Sequence, residues 1–267
     1  MMRKYIFIFI VLPLVFLSCE KEINIDFHEA ESRFVVEGTI NDTGTEIRVS
    51  KTNAMNDNTI KSDVDNANVV VTGDDGTRIT IPFVRNGYYR SKQLKGVPGT
   101  TYQLDVEVDE QHFTSTSTMQ RTPRMTDFRL VWKEMLTQRY LFGDLRLQDI
   151  PNESNWYFMH IYRNGLGYRW AVMKDDKNPN KELQQLFTLF RDGDSDGDVL
   201  HDGDELRIVI RAIDQRAYDY LYSMQQMSST GTNPIDNFTG GCLGYFSAHS
   251  EINYYQDFYY SDIVEDE

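Results

Sequence analysis

Between Arg33 and Gln120 apolar and polar residues alternate with a period of two. Tyr102, Leu104, Val106 and Val108 are interleaved with Gln103, Asp105, Glu107 and Asp109. That pattern puts one row on a core and the other in water, as a half-buried strand requires. The same reading covers Phe34-Val35-Val36, Glu46 to Ser50, Val69-Val70-Val71, the alternating Ile79, Ile81 and Phe83, Tyr88-Tyr89-Arg90, and His112 to Thr118. Asp75-Gly76 and Asn86-Gly87 separate consecutive members of this series, and both dipeptides tolerate the positive φ of type I′ turns, so they predict hairpins. About seven short strands in one such segment predict an immunoglobulin-like β-sandwich over residues 33–120, without the Cys pair and core Trp of antibody domains.

Gln120-Arg121-Thr122-Pro123-Arg124 reads as a boundary, because Pro cannot pair inside a central strand and the charges favour exposure. Beyond it, Phe128 to Trp132, Tyr140 to Gln148, Trp156 to Tyr162, Tyr168 to Met173 and Leu206 to Ile213 predict further strands. One amphipathic helix follows, with Asp214 as N-cap and Ala217, Tyr220, Leu221, Met224 and Met227 along one stripe. The expected fold is therefore mainly β: the N-terminal sandwich, then a second β-rich domain over residues 121–267 carrying a single helix.

The N-terminus follows a different rule. Arg3 and Lys4 precede an apolar run from Tyr5 to Leu17. At 1.5 Å per residue this run spans roughly 20 Å, short of the ~30 Å hydrocarbon core, so it reads as the h-region of a secretory signal over residues 1–18. Phe16-Leu17-Ser18-Cys19 resembles the bacterial lipobox, in which the Cys is acylated and becomes the first residue of the mature chain. Acyl chains contribute ~0.8 kcal/mol per buried CH₂, enough to hold the chain on a lipid bilayer through Cys19. Residues 19–32 read as a tether, and Cys19-Glu20-Lys21-Glu22 resembles the export tag of cell-surface lipoproteins; a merely solvated tether is the other reading.

Charge then narrows the partners. Acidic residues number 41 against 27 basic, so a phosphate-backbone binder is excluded, since it needs a basic stripe to release counterions. The two cysteines, Cys19 and Cys242, are too few for a disulfide framework. Cys242 has no evident neighbouring cation and reads as a packed thiol.

Several segments together are similar to one known family. They are Cys19 to Asp26, Phe34-Val35-Val36-Glu37-Gly38, Gly99 to Val106, Asp192 to Leu206 leading into Ile213-Asp214 and the helix, Asn233-Pro234, and Gly240-Gly241-Cys242-Leu243-Gly244-Tyr245-Phe246-Ser247-Ala248. On these the chain is identified as resembling the Bacteroidota outer-membrane lipoprotein family known as domain of unknown function 4249. The resemblance implies an all-β fold in two parts, an outer-membrane, cell-surface-facing location, and a TonB-dependent outer-membrane receptor as partner. It implies no reaction. The expected role is a non-enzymatic accessory or substrate-capture lipoprotein of such a transporter; the alternative is a stand-alone surface module that binds a glycan or an adhesion target.

Candidate chemistry is sparse. The segment from Asp192 to Glu205 supplies Asp192, Asp194 and Asp196 at positions 1, 3 and 5 of an EF-hand-type loop, with Gly197 at 6 and Val199 at 8, but Gly203 stands where the bidentate Glu belongs. Counting from Asp194 recovers Asp202 and Glu205 at positions 9 and 12 and puts Val199 where Gly is needed. The segment reads either as a Ca²⁺ loop with Asp192, Asp194, Asp196, Asp198, Asp202 and Glu205 as candidate ligands, or as a solvated acidic turn. No H-E-x-x-H, G-x-S-x-G, P-loop or G-x-G-x-x-G occurs, and the five His are scattered without ligand spacing, so no enzymatic activity is expected. Tyr254-Tyr255 and Phe258-Tyr259-Tyr260 suit either an aromatic-packed strand or a surface that stacks on sugar rings. Gly240, Gly241 and Gly244 predict a tight turn or a close backbone approach, with a ligand-binding loop as the other reading.

Overall fold

The computed structural model describes residues 32–53, 63–135, 138–175, 182–190 and 198–265. Cys19, the signal and the tether up to residue 31 lie outside the described residues, as do Asp192, Asp194 and Asp196. The first half contains β1 (Phe34–Asn41), β2 (Gly44–Lys51), β3 (Asn68–Gly73), β4 (Arg78–Thr80), β5 (Phe83–Arg85), β6 (Tyr88–Ser91), β7 (Thr101–Val108) and β8 (Gln111–Thr118). The second contains β9 (Met125–Met135), β10 (Gln138–Leu147), β11 (Trp156–Arg163), β12 (Leu166–Lys174), β13 (Leu183–Leu189), β14 (Glu205–Ile213), helix α1 (Gln215–Thr230), β15 (Leu243–Ala248), β16 (Ser250–Asp257) and β17 (Val264–Glu265). The fold is mainly β, as expected, with one long helix among the described residues.

Four sheets make two sandwiches. β15-β1-β2-β6-β5 faces β4-β3-β7-β8 across a core that includes Val36, Ile47, Leu104, Phe113 and Phe246. β13-β10-β9-β17 faces β12-β11-β14-β16 across a second core that includes Leu145, Tyr157, Met159, Ile210 and Phe258. Strand β7 is buried at Tyr102, Leu104, Val106 and Val108, the alternation read from its sequence.

The predicted Ile79-Ile81-Phe83 strand is cut in two. Pro82 has no N–H for a ladder, and the chain changes sheets there: β4 pairs with β3 in one layer and β5 with β6 in the other. The two predicted turns also differ. Asn86 and Gly87 both take positive φ, 50° and 71°, as a type I′ turn requires. At Asp75-Gly76 only Gly76 does, and the Asp75 carboxylate accepts the Thr77 N–H at 2.9 Å, so side-chain capping replaces the type I′ geometry.

Strand β15 lies on the far side of the second sandwich in sequence, yet it pairs in parallel with β1, Val36 opposite Gly244 and Glu37 opposite Tyr245. Gly244 has φ +104°, and a Cβ there would come 2.0 Å from the Val36 carbonyl oxygen. The glycine is what lets the strands close, which is the close-approach reading of that motif. Cys242 is buried beside it, and burial pushes its thiol up to about 12, so it is a packed thiol. β15 runs through His249 into β16, so one continuous stretch edges both sandwiches.

Helix α1 begins where predicted. The Asp214 carboxylate accepts the Ala217 N–H at 2.9 Å and, with its other oxygen, the Thr118 N–H at 2.8 Å, which ties the helix to β8 of the first sandwich. Burial raises the pKa of this carboxyl above its usual range. Ala217 and Leu221 are buried, while Met224 and Met227 at the end of the stripe are exposed.

Candidate functional site

The sheet β12-β11-β14-β16 has two usable faces. Tyr157, Met159 and Ile161 of β11 enter the second core, so Trp156, Phe158, His160 and Tyr162 point the other way. Pairing registers extend this outer face sideways into a grid. Phe158 lies between Val172 and Arg211, with Glu251 beyond; His160 between Trp170 and Val209, with Asn253 beyond; and Tyr162 beside Arg207, with Tyr255 beyond. Helix α1 covers the end of the grid around Phe158, Val172 and Ile213 through Ala217 and Leu221. The rows of His160 and Tyr162 are left uncovered by it, with Trp170 37% and Tyr255 60% exposed.

These side chains hold one another in place. The His160 and Tyr162 rings stack with centroids 4.0 Å apart and planes 25° from parallel. His160 lies over Gly167, where a Cβ would come 3.0 Å from its Nε2, so a side chain at 167 would displace the imidazole. Trp170 and Phe158 meet edge to face, with ring centroids 5.9 Å apart. The Arg207 guanidinium sits 4.1 Å from the Tyr162 ring centroid and donates to Asn253 Oδ1 at 3.2 Å. Among the described residues Arg207 meets no carboxylate.

A buried charge network borders this platform. Arg211 donates through Nε to Glu251 Oε2 at 3.0 Å, and His249 Nε2 faces the same oxygen at 3.8 Å. The His249 contact, then the Arg211 guanidinium, hold the Glu251 carboxyl down to about 2 against burial. Burial opposes the charge on Arg211, but Glu251 outweighs it and keeps the guanidinium pKa above its ordinary value. Burial, then Arg211 and Arg207, push His160 down to about 4, so its ring is neutral at pH 7. Tyr245 of β15 stacks on Tyr220 of α1 at 5.2 Å and 14°, and burial raises both hydroxyls, Tyr220 to about 12. Perturbed titratable groups gathered around exposed rings mark this face as the candidate site.

Flat rings and one guanidinium that meets no carboxylate among the described residues favour stacking and charge pairing with a ligand. The hollows elsewhere are less suited. One of about 320 Å³ lies by the Glu46–Arg90 pair, and one of about 430 Å³ lies beside Asn68 and Asp109, whose side chains already bond Glu107 and Lys51.

Three of the candidate ligands in the acidic segment can be placed. Asp198 is exposed and pairs with Arg169 at 3.4 Å, Asp202 accepts the Tyr260 N–H at 2.7 Å, and Glu205 is exposed at the start of β14. Among the described residues no three His, Cys, Asp or Glu side chains cluster to hold a metal. Tyr168 closes the base of this segment, its hydroxyl accepting the Phe190 N–H at 3.1 Å and donating to the Asp198 carbonyl at 2.9 Å. Tyr255, singled out from sequence, reaches the platform; Tyr254 packs inward against the second core. Sequence reading missed His160, Trp170 and Arg207. A usable signal was present in Phe158-x-His160-x-Tyr162 and Arg207-x-Val209-x-Arg211, where large residues occupy both faces of a strand.

Comparison with protein families matches residues 20–253 to the model of a domain of unknown function (DUF4249). No curated protein matches the chain.

Proposed function

Because the chain belongs to the family of domain of unknown function 4249, we propose that it is a lipid-anchored ligand-binding protein of the outer membrane. In this reading it is a non-enzymatic accessory to a TonB-dependent transporter. The observation that carries the binding role is the part of the outer face of the β12-β11-β14-β16 sheet that helix α1 does not cover. Trp170, His160, Tyr162, Arg207 and Tyr255 there offer rings and a positive charge on a rigid support. Preorganised rings lose little entropy on contact, which suits capture of a ligand and its delivery to a partner. Neutral His160 is stacked on Tyr162 and Glu251 is neutralised by Arg211, so the chemistry on offer is recognition.

The anchor is Cys19, and confinement to one leaflet raises the effective concentration of a partner, so a modest interface suffices. The test is affinity purification of the tagged chain from detergent-solubilised outer membranes, beside the Trp170→Ala/Arg207→Ala double variant. The reading requires a stoichiometric β-barrel partner with both, and a co-purifying small molecule or glycan with the wild type alone. A wild-type protein that emerges with ligand and without a barrel is a stand-alone surface module. One that emerges with neither contradicts the proposal.

A further inference from the structure

We propose that Asp149, Asn155 and Asp175 form a binding site for a hard divalent cation of the Ca²⁺ type, at one end of the second sandwich. The proposal is independent of the ligand platform and of the acidic segment around residues 192–205. Asn155 and Asp175 continue the β11–β12 ladder one step beyond its Trp156–Lys174 pair, and the Asp175 N–H donates to the Asn155 carbonyl at 2.9 Å. Strand alternation puts both side chains on the face of Tyr157 and Met173, toward the core between the sheets, and sends Lys174 to the opposite face with Trp156. Asp149 arrives from the end of β10. The turn after it is closed by Glu153 N–H donating to the Ile150 carbonyl at 3.3 Å, with Asn152 at φ 67°, and it returns the chain to Asn155. The charges of Asp175 and Asp149 are both felt at the buried Tyr157 hydroxyl, so both carboxylates lie in its neighbourhood.

The three residues are 6%, 6% and 2% exposed. Both carboxylate oxygens of Asp149 and Oδ1 of Asn155 are completely buried, and among the described residues none of these three atoms meets a hydrogen-bond donor. In this Asp149 differs from the buried acids Asp144, Asp204 and Asp214. Asp144, fully buried on β10, takes Arg146 and Gln184; Asp204 takes Arg163, Asn164 and the His201 N–H; Asp214 takes two backbone N–H groups. A carboxylate withdrawn from water without donors is strongly disfavoured unless a cation compensates it. Two carboxylates balance a divalent charge. An amide oxygen is a normal third ligand, water completes the six to eight oxygens that Ca²⁺ accepts, and the absence of His and Cys from the set disfavours softer metals.

The full-length protein in detergent, stripped with EDTA, provides the test. Native mass spectrometry should find one Ca²⁺ taken up per chain at this site. Tb³⁺ in its place should luminesce on tyrosine excitation, since Tyr157 lies beside it. Asp149→Asn should weaken that signal by at least roughly tenfold, whereas Asp194→Asn/Asp196→Asn should leave it intact. Stability gives a second reading if Asp149→Asn binds nothing. In EDTA the variant should melt at or above the wild type, because it removes an uncompensated charge, and in Ca²⁺ the order should reverse. Identical wild-type melting in Ca²⁺ and EDTA with no bound metal would mean that water alone satisfies these oxygens, and would overturn the proposal. So would a Tb³⁺ signal that follows the 194/196 variant instead of the 149 variant.

Discussion

Replacing Gly244 with alanine tests the joint between the two ends of the chain. At φ +104° a side chain carries a backbone penalty of about 1–3 kcal/mol. The added Cβ would also stand 2.0 Å from the Val36 carbonyl oxygen and 2.8 Å from its carbon, where separations under 3.0 Å essentially do not occur. Strands β1 and β15 must therefore part by about 1 Å in the middle of their ladder, which loosens the completely buried Phe246 and Ala248. The two effects together predict a loss of about 4 kcal/mol, in the range that only severe core or backbone lesions reach. Gly241→Ala is the internal control. It has φ +87° and nothing within 4 Å of its Cβ, so it carries the backbone penalty alone, about 1–2 kcal/mol. Urea unfolding of the Cys19→Ser form by far-UV circular dichroism should separate the two variants by about 2 kcal/mol, or roughly 30-fold in the unfolding constant. Equal destabilisation of the two would refute the claim that a steric seam at Gly244 holds β15 on β1.

His160 should titrate by NMR at about 4 instead of 6.5. Its folded pKa is depressed, so the folded state binds fewer protons between those values and stability falls as pH drops from about 6.5 to 4. Glu251, at about 2 against an ordinary 4.5, adds a further loss between about pH 4.5 and 2. His160→Gln should flatten the first slope, and an unchanged acid profile would count against the site's electrostatics. Asp214→Ala should cost about 2 kcal/mol as a lost N-cap that also strands the Thr118 N–H, while Asp214→Asn should keep most of the cap; thermal unfolding of both distinguishes capping from a purely ionic role. Cys19→Ser should move the protein from the membrane pellet to the soluble fraction after a high-pH wash, and retention in the pellet would disprove acyl anchoring.

What could be read from sequence was local. The alternation of Tyr102 to Val108 and the Asp214 cap with Ala217 and Leu221 behind it depend on neighbours within a few residues, and both appear in the structure. Pro82 carried enough information to break its strand, since a missing N–H is a property of the residue itself. The parallel pairing of β15 with β1 was hidden because it joins segments about 200 residues apart, and a six-residue strand carries no mark of its partner. The glycines at 240, 241 and 244 signalled a special backbone without saying which one faces a carbonyl. The platform was hidden for the same reason as β15. Trp170, His160, Arg207 and Tyr255 come from four strands whose order in the sheet differs from their order in the chain. In the acidic segment Asp198 pairs with Arg169 and Asp202 accepts the Tyr260 N–H, partners about 30 and 60 residues away that spacing within the segment does not show.

The most direct test of the central claim is quantitative crosslinking in native outer membranes, comparing tagged wild type with tagged Cys19→Ser at equal expression. A lipid-anchored accessory protein predicts one β-barrel receptor captured in near-stoichiometric amount with the wild type. It also predicts loss of that receptor with Cys19→Ser, because a weak interface depends on the tether. Wild-type protein that captures no barrel, while other lipoprotein complexes in the same membranes are recovered, would contradict it, as would equal capture by the untethered form.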